Sequence, residues 1–182
     1  MTWLESANHP RFEVRYTDLI YQPMIELLDY LRANEFKTFV VSGAGQDFVR
    51  VFAGKALGIP PEQVVGSTTA TEFQARETGP VLVKSSRIES VEDGPGKVIA
   101  IDRFIGRRPI FAFGNSDGDK DMLEWTSSNE HCFIGLLHHT DEVREYAYDR
   151  NSEIGKLDRA LDEARDKGWT VVDMKNDWRV IF

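Results

Sequence analysis

The residues whose types and spacing could do chemistry crowd into Gly114-Asn-Ser-Asp-Gly-Asp119. An apolar run from Ile110 to Phe113 precedes them, short enough for a buried parallel strand. Met122, Leu123 and Trp125 follow and suggest the buried face of a helix. The pattern is a strand, a tight acidic loop and a helix start. In an open α/β sheet, ligands sit outside the carboxyl ends of such strands. Oxygens from Asn115, Asp117 and Asp119 suit a hard cation such as Mg²⁺, which takes few protein ligands and fills its shell with water and phosphate oxygens. The same side chains could instead cap free helix N–H groups.

Two further residues stand where they could serve that loop. Ser42 ends the apolar run Phe36-Lys-Thr-Phe-Val-Val41 and opens Ser42-Gly-Ala-Gly45. Lys97 opens a helical pattern carrying Val98, Ile101, Phe104 and Ile105. A hydroxyl, an ammonium and an acidic loop in one cleft suit a phosphoryl group. The hydroxyl binds its oxygens, the lysine neutralises charge and the cation bridges to it.

The surrounding elements alternate between strands and helices, which predicts a parallel α/β fold in one domain over residues 1–182. Residues 1–16 read as an irregular lead-in. A helix follows to about Asn34, its regular part starting near Tyr21 because Pro23 is tolerated only near a helix start. The next helix spans Gln46 to Leu57 with Phe48, Val49, Phe52 and Leu57 inward, and Gly58 as its stop. Residues 68–84 alternate and read as a β-hairpin, and 85–96 as a polar loop. Strands are expected over 132–137 and 169–173. Helices are expected after Asp141, with Val143, Tyr146 and Ala147, and over 156–167. The aromatic end, Trp178 to Phe182, is expected to dock.

The order of Ser42, Lys97 and the acidic loop resembles the haloacid dehalogenase (HAD) superfamily of phosphatases, most closely its phosphoserine-phosphatase-like branch. Phe39-Val-Val-Ser42-Gly-Ala-Gly is similar to the second family motif, Lys97 to the third-motif lysine, and Gly114-Asn-Ser-Asp-Gly-Asp119 to the fourth motif. The resemblance implies a Rossmannoid three-layer sandwich and Mg²⁺-dependent hydrolysis of a phosphomonoester through an aspartyl-phosphate. It implies that Ser42 and Lys97 hold the phosphoryl oxygens and that Asp119, with Asn115 and Asp117, holds the metal.

Two departures matter. Asn115 stands where the family has Asp. The first motif, Asp-x-Asp-x-Thr, which supplies the nucleophile on the first and central strand, is absent upstream of Ser42, where the only aspartates are Asp18 and Asp29. The chain therefore reads as the C-terminal portion of such a phosphatase, with the central strand and most of the cap missing. Losing a nucleophile that acts within a catalytic unit costs on the order of a million-fold. Three or four apolar residues on that strand would bury about 1.5–3 kcal/mol each, against about 5–15 kcal/mol of total domain stability. The chain alone is expected to be inactive and marginally stable. Either another segment supplies the strand, from a missing N-terminal stretch or within a homo-oligomer, or the strands bearing Ser42 and Asn115 pair directly. The other function class is a non-catalytic phosphate- or Mg²⁺-binding module, or an inactive remnant.

Composition bounds the rest. A net charge of −8 disfavours nucleic acid and anionic membrane, but not a small phosphorylated substrate. No apolar run is long enough to span a membrane and the N-terminus lacks signal-peptide regions, so a cytoplasmic location is expected. The single Cys132 excludes an internal disulfide and reads as a buried, inert thiol. Ser42-Gly-Ala-Gly45 lacks the third spaced glycine of a dinucleotide-binding turn. Of His138 and His139, adjacent on a strand, one is expected buried and one solvated. Arg107 and Arg108 read as a solvated turn.

Overall fold

Two three-stranded sheets carry the fold. The computed structural model describes residues 3, 6–152 and 155–182. The first sheet has β1 (Val40–Gly45), β2 (Val64–Arg76) and β3 (Gly79–Ser90) in that order. The second has β4 (Phe111–Gly114), β5 (Phe133–His138) and β6 (Thr170–Asp173) in that order. β1 pairs parallel with β2, β2 and β3 form an antiparallel hairpin, and the second sheet is parallel throughout. The helices are α1 (Gln22–Ala33), α2 (Gln46–Leu57), α3 (Pro95–Ile105), α4 (Lys120–Ser127), α5 (Arg159–Lys167) and the single turn α6 (Met174–Asp177). The result is a mixed α/β fold of the Rossmannoid kind.

β1 and β4 form no ladder with each other among the described residues. Direct pairing of the strands bearing Ser42 and Asn115, one of the two expected ways of closing the sheet, does not occur. The strands are held instead through helices. Val41 of β1 packs on the cluster that joins Ile101 of α3, Ala112 of β4, and Met122 and Leu123 of α4. Leu157, Ala160 and Ala164 add α5 to the same cluster. A second cluster, Val49, Ala53, Ile59 and Val64, sits under the first sheet. A third, Leu137, Met174 and Ile181, receives Tyr21, Met24 and Trp178 and docks the C-terminal end.

Several expectations hold to within a residue. Pro23 sits in the first turn of α1, where its missing N–H costs nothing. Gly58 ends α2 with φ 65°, a conformation that penalises any Cβ. Others are corrected. The strand expected over 36–41 starts at Val40, because its partner β2 starts at Val64, just after the Pro61–Gln63 3₁₀ turn. The hairpin is longer than 68–84. Ser90 pairs with Thr68 and Ile88 with Thr69, so the first half of the expected polar loop is strand. Phe48 is exposed, and Ala53 takes the buried place on α2. Cys132 is exposed because β5 starts one residue later, at Phe133; its Sγ donates to the Asn129 carbonyl. The helix expected after Asp141 is a turn. The Asp141 carboxylate accepts from the N–H groups of Val143 and Arg144, and the Arg144 guanidinium reaches carbonyls of Met174, Lys175, Trp178 and Arg179. Val143 consequently points to solvent, 85% exposed.

Candidate phosphoryl and metal site

Lys97 lies in the first turn of α3, yet its side chain is only 9% exposed. Its Nζ donates to Asp119 Oδ1 at 2.7 Å and to the Val41 carbonyl at 3.0 Å. The lysine thereby ties the end of β1 to the loop after β4, across the place where the two sheets fail to pair. Ser42 follows Val41 directly. Its Oγ accepts from the Ala44 N–H at 3.1 Å, so its O–H hydrogen is not used in that bond. The Ser67 hydroxyl donates to the Gly43 carbonyl at 2.8 Å, and the Glu92 N–H donates to Ser67 Oγ at 3.0 Å. These bonds brace the Ser42–Gly45 turn from behind.

Asp119 is the anchor of its own loop. Its Oδ2 accepts from the N–H groups of Asn115 at 2.9 Å and Ser116 at 3.1 Å, and from Ser116 Oγ at 3.3 Å. The side chain is 8% exposed, so lysine and loop donors replace its water. Gly114 is needed for this fit: a Cβ there would lie 2.5 Å from the Asp119 Cβ.

Asp117 turns elsewhere. Its Oδ1 accepts from the N–H groups of Asp158 at 2.9 Å and Ala160 at 3.0 Å, at the N-terminal end of α5. Burial works to raise its carboxyl. The N–H groups of Ala160, Asp158 and Arg159, with the Arg159 charge, outweigh burial and hold it below the ordinary value.

Asn115 meets a group that sequence reasoning did not assign to the site. Its Nδ2 lies 3.2 Å from His139 Nε2, and His139 Nδ1 lies 2.6 Å from Glu145 Oε2. The imidazole is buried, and the half-exposed His138 beside it faces the other way, as strand alternation requires. The Tyr148 ring stacks on His139 at 4.3 Å, and the Tyr148 hydroxyl donates to the Asn115 carbonyl at 3.0 Å. Burial, then the charges of Asp119 and Glu145, push the Tyr148 phenol well above its ordinary value. The adjacent histidines at a strand end were the available signal; what the buried one would touch depends on residues 24 and 6 positions away.

The structure thus brings Lys97, Asp119 and the end of β1 at Ser42 together, with Asn115 on the Asp119 loop and Asp117 turned toward α5. Among the described residues, no group of three or more His, Cys, Asp or Glu could hold a metal ion. Asn115 Oδ1 and the Asp119 carboxylate are the oxygens on offer. They fit an Mg²⁺ that draws most of its shell from water, phosphate oxygens and a carboxylate from elsewhere. They do not fit a metal caged by this chain alone.

Residues 2–124, more than half of the chain, match the haloacid dehalogenase-like hydrolase family. The chain belongs to that family. The HAD match includes Ser42, Lys97 and the whole Asn115–Asp119 loop, and ends before His139 and Glu145. Among solved structures, a conserved functionally unknown protein from Anaerococcus prevotii DSM 20548 is similar to this HAD chain, with 21% identity and a TM-score of 0.57. The similarity covers 84% of this chain and 37% of that one, so the chain spans well under half of that protein's length. It bears on the fold alone. No curated protein matches the chain. No helix among the described residues is long and apolar enough to cross a membrane.

Proposed function

We propose that this chain carries the phosphoryl- and Mg²⁺-binding part of a HAD-type phosphomonoester hydrolase. One observation carries the reading: the buried Lys97 ammonium held between Asp119 and the backbone beside Ser42, at the carboxyl ends of two parallel strands. A lysine has three donors, and two are spent here. The third, with the Ser42 hydroxyl, serves the oxygens of a phosphoryl group. Asn115 and Asp119 hold the cation, which would add charge neutralisation on the phosphoryl oxygens. Asp117 supports the loop from behind, since reaching a cation would cost its bonds to α5.

The attacking carboxylate comes from outside this set. Asp18 is paired with Arg15 at 2.9 Å and Asp29 with Arg32 at 2.5 Å, all on exposed or half-buried surface. A strand carrying Asp-x-Asp-x-Thr, added between β1 and β4, would place its carboxylate beside Lys97. Without it the chain is a binder with negligible turnover. The substrate is a phosphorylated small molecule; the net charge of −8 disfavours nucleic acid.

Calorimetric titration of the purified chain with inorganic phosphate in Mg²⁺ tests the binding half. Phosphate binding that requires Mg²⁺ and weakens in both Ser42→Ala and Lys97→Met is expected. Binding indifferent to both substitutions would overturn the assignment.

A further inference from the structure

The chain from Asn115 through His139 to Glu145 has a definite polarity. Glu145 is 1% exposed and His139 3%. Glu145 Oε2 is approached by two groups, His139 Nδ1 at 2.6 Å and the Tyr21 hydroxyl at 3.2 Å. The Tyr21 phenol donates, and burial, then the Glu145 charge, keep its proton on well above the ordinary range. A carboxylate oxygen accepting from both requires the proton on Nδ1 of His139. Asn115 turns its amide N–H₂ toward Nε2 at 3.2 Å, which makes Nε2 the acceptor of that bond. A carboxylate at position 115 would set a second lone pair against Nε2, so an accepting Nε2 calls for Asn rather than Asp.

We propose that Glu145 and His139 are positioning residues for Asn115: the Glu145···H–Nδ1 bond makes His139 Nε2 an acceptor, which holds the Asn115 amide so that Oδ1, not Nδ2, is offered to a cation beside Asp119. The proposal deepens the metal-site reading and rests on it. Four contacts make the arrangement rigid. Tyr148 stacks on the imidazole and pins the Asn115 carbonyl, Tyr21 fixes the carboxylate, and the Asn115 N–H is held by Asp119. Among the described residues, Glu145 Oε1 is buried with no hydrogen-bond partner. The carboxylate therefore keeps an unsatisfied oxygen while its other oxygen orients the histidine, which a merely space-filling residue would not require. Outer groups that orient a ligand commonly change metal affinity by 10–100-fold when removed.

The test reads proton position and affinity separately. Long-range ¹H–¹⁵N NMR of the full chain at neutral pH, with His139 assigned by loss of its signals in His139→Gln, should show the Nδ1–H form. An Nε2–H form, or both nitrogens protonated, overturns the proposal. Mn²⁺ binding to the same chain in saturating inorganic phosphate, which supplies the oxygens the chain lacks, followed by electron paramagnetic resonance, should weaken on the order of 10-fold in the near-isosteric Glu145→Gln. It should weaken further in Asn115→Ala. Unchanged affinity in Glu145→Gln, beside a clear loss in Asn115→Ala, overturns the positioning role and leaves the metal site standing. No Mn²⁺ binding to the unaltered chain sinks the metal site itself and, with it, the part of the proposal that names a cation.

Discussion

At the scale of single residues, the Lys97–Asp119 pair decides most. Both side chains are nearly excluded from water, and they satisfy each other together with nearby backbone groups and the Ser116 hydroxyl. Breaking one partner of a buried pair is costly because the other charge stays buried. Asp119→Ala should therefore lose about 3–5 kcal/mol in urea unfolding. Lys97→Met should lose less, since Asp119 Oδ2 keeps three donors. A loss under about 1 kcal/mol for Asp119→Ala would show the pair to be solvated in solution. Ser42, Lys97 and Asp119 were legible in the sequence because each ends or begins a periodic segment, and the local pattern fixes where it must lie. His139 and Glu145 were not, because their meaning rests on a contact between β5 and the turn after it that no local period encodes. Cys132 misled for a related reason: its apolar neighbours continue into β5, but the strand stops short of it.

At the scale of elements, the acidic loop does two jobs that the sequence reading had merged. Asp119 closes the loop on itself, while Asp117 docks α5. Asp117→Ala should cost about 0.5–2 kcal/mol, the usual range for a lost helix-end acceptor. The pH dependence follows from the lowered Asp117 carboxyl. A depressed folded value means that its stabilisation is fully present above the unfolded value of 3.8 and disappears as pH falls through the folded value. The gap between wild type and Asp117→Ala should thus be constant from neutral pH to about pH 5 and close in stronger acid, as urea midpoints at several pH values would show. A gap that widens in acid would reverse the sign and the account with it. The β2–β3 hairpin offers a contrast. Phe73 and Leu82 pair across its strands and are 69% and 71% exposed. Phe73→Ser should therefore change stability by no more than about 0.5 kcal/mol in the same unfolding experiment. The hairpin was visible from its alternation, but its length was not, because a polar stretch becomes strand only when a partner is there to pair with it.

At the scale of the molecule, the alternation of strands and helices made a parallel α/β fold legible. Whether β1 and β4 would close on each other was not, since backbone pairing between strands far apart in sequence leaves no mark on side-chain periodicity. The structure leaves them unpaired, joined by α3, the Lys97 bridge and one shared cluster. Three separate apolar clusters in place of one predict uneven stability. Amide exchange should protect β5 and its neighbours longer than β1 and β2, and uniform protection across both sheets would contradict a divided core. The central claim is that this HAD chain holds a phosphoryl and Mg²⁺ half-site and lacks its own attacking carboxylate. The most direct test is phosphomonoester hydrolysis by the purified chain in Mg²⁺, measured alone and with an added peptide bearing an Asp-x-Asp-x-Thr strand. The account predicts turnover at the blank level for the chain alone, and Mg²⁺-dependent turnover with the peptide that Asp119→Asn removes. Turnover well above the blank by the unaided chain, abolished by Asp119→Asn, would contradict it.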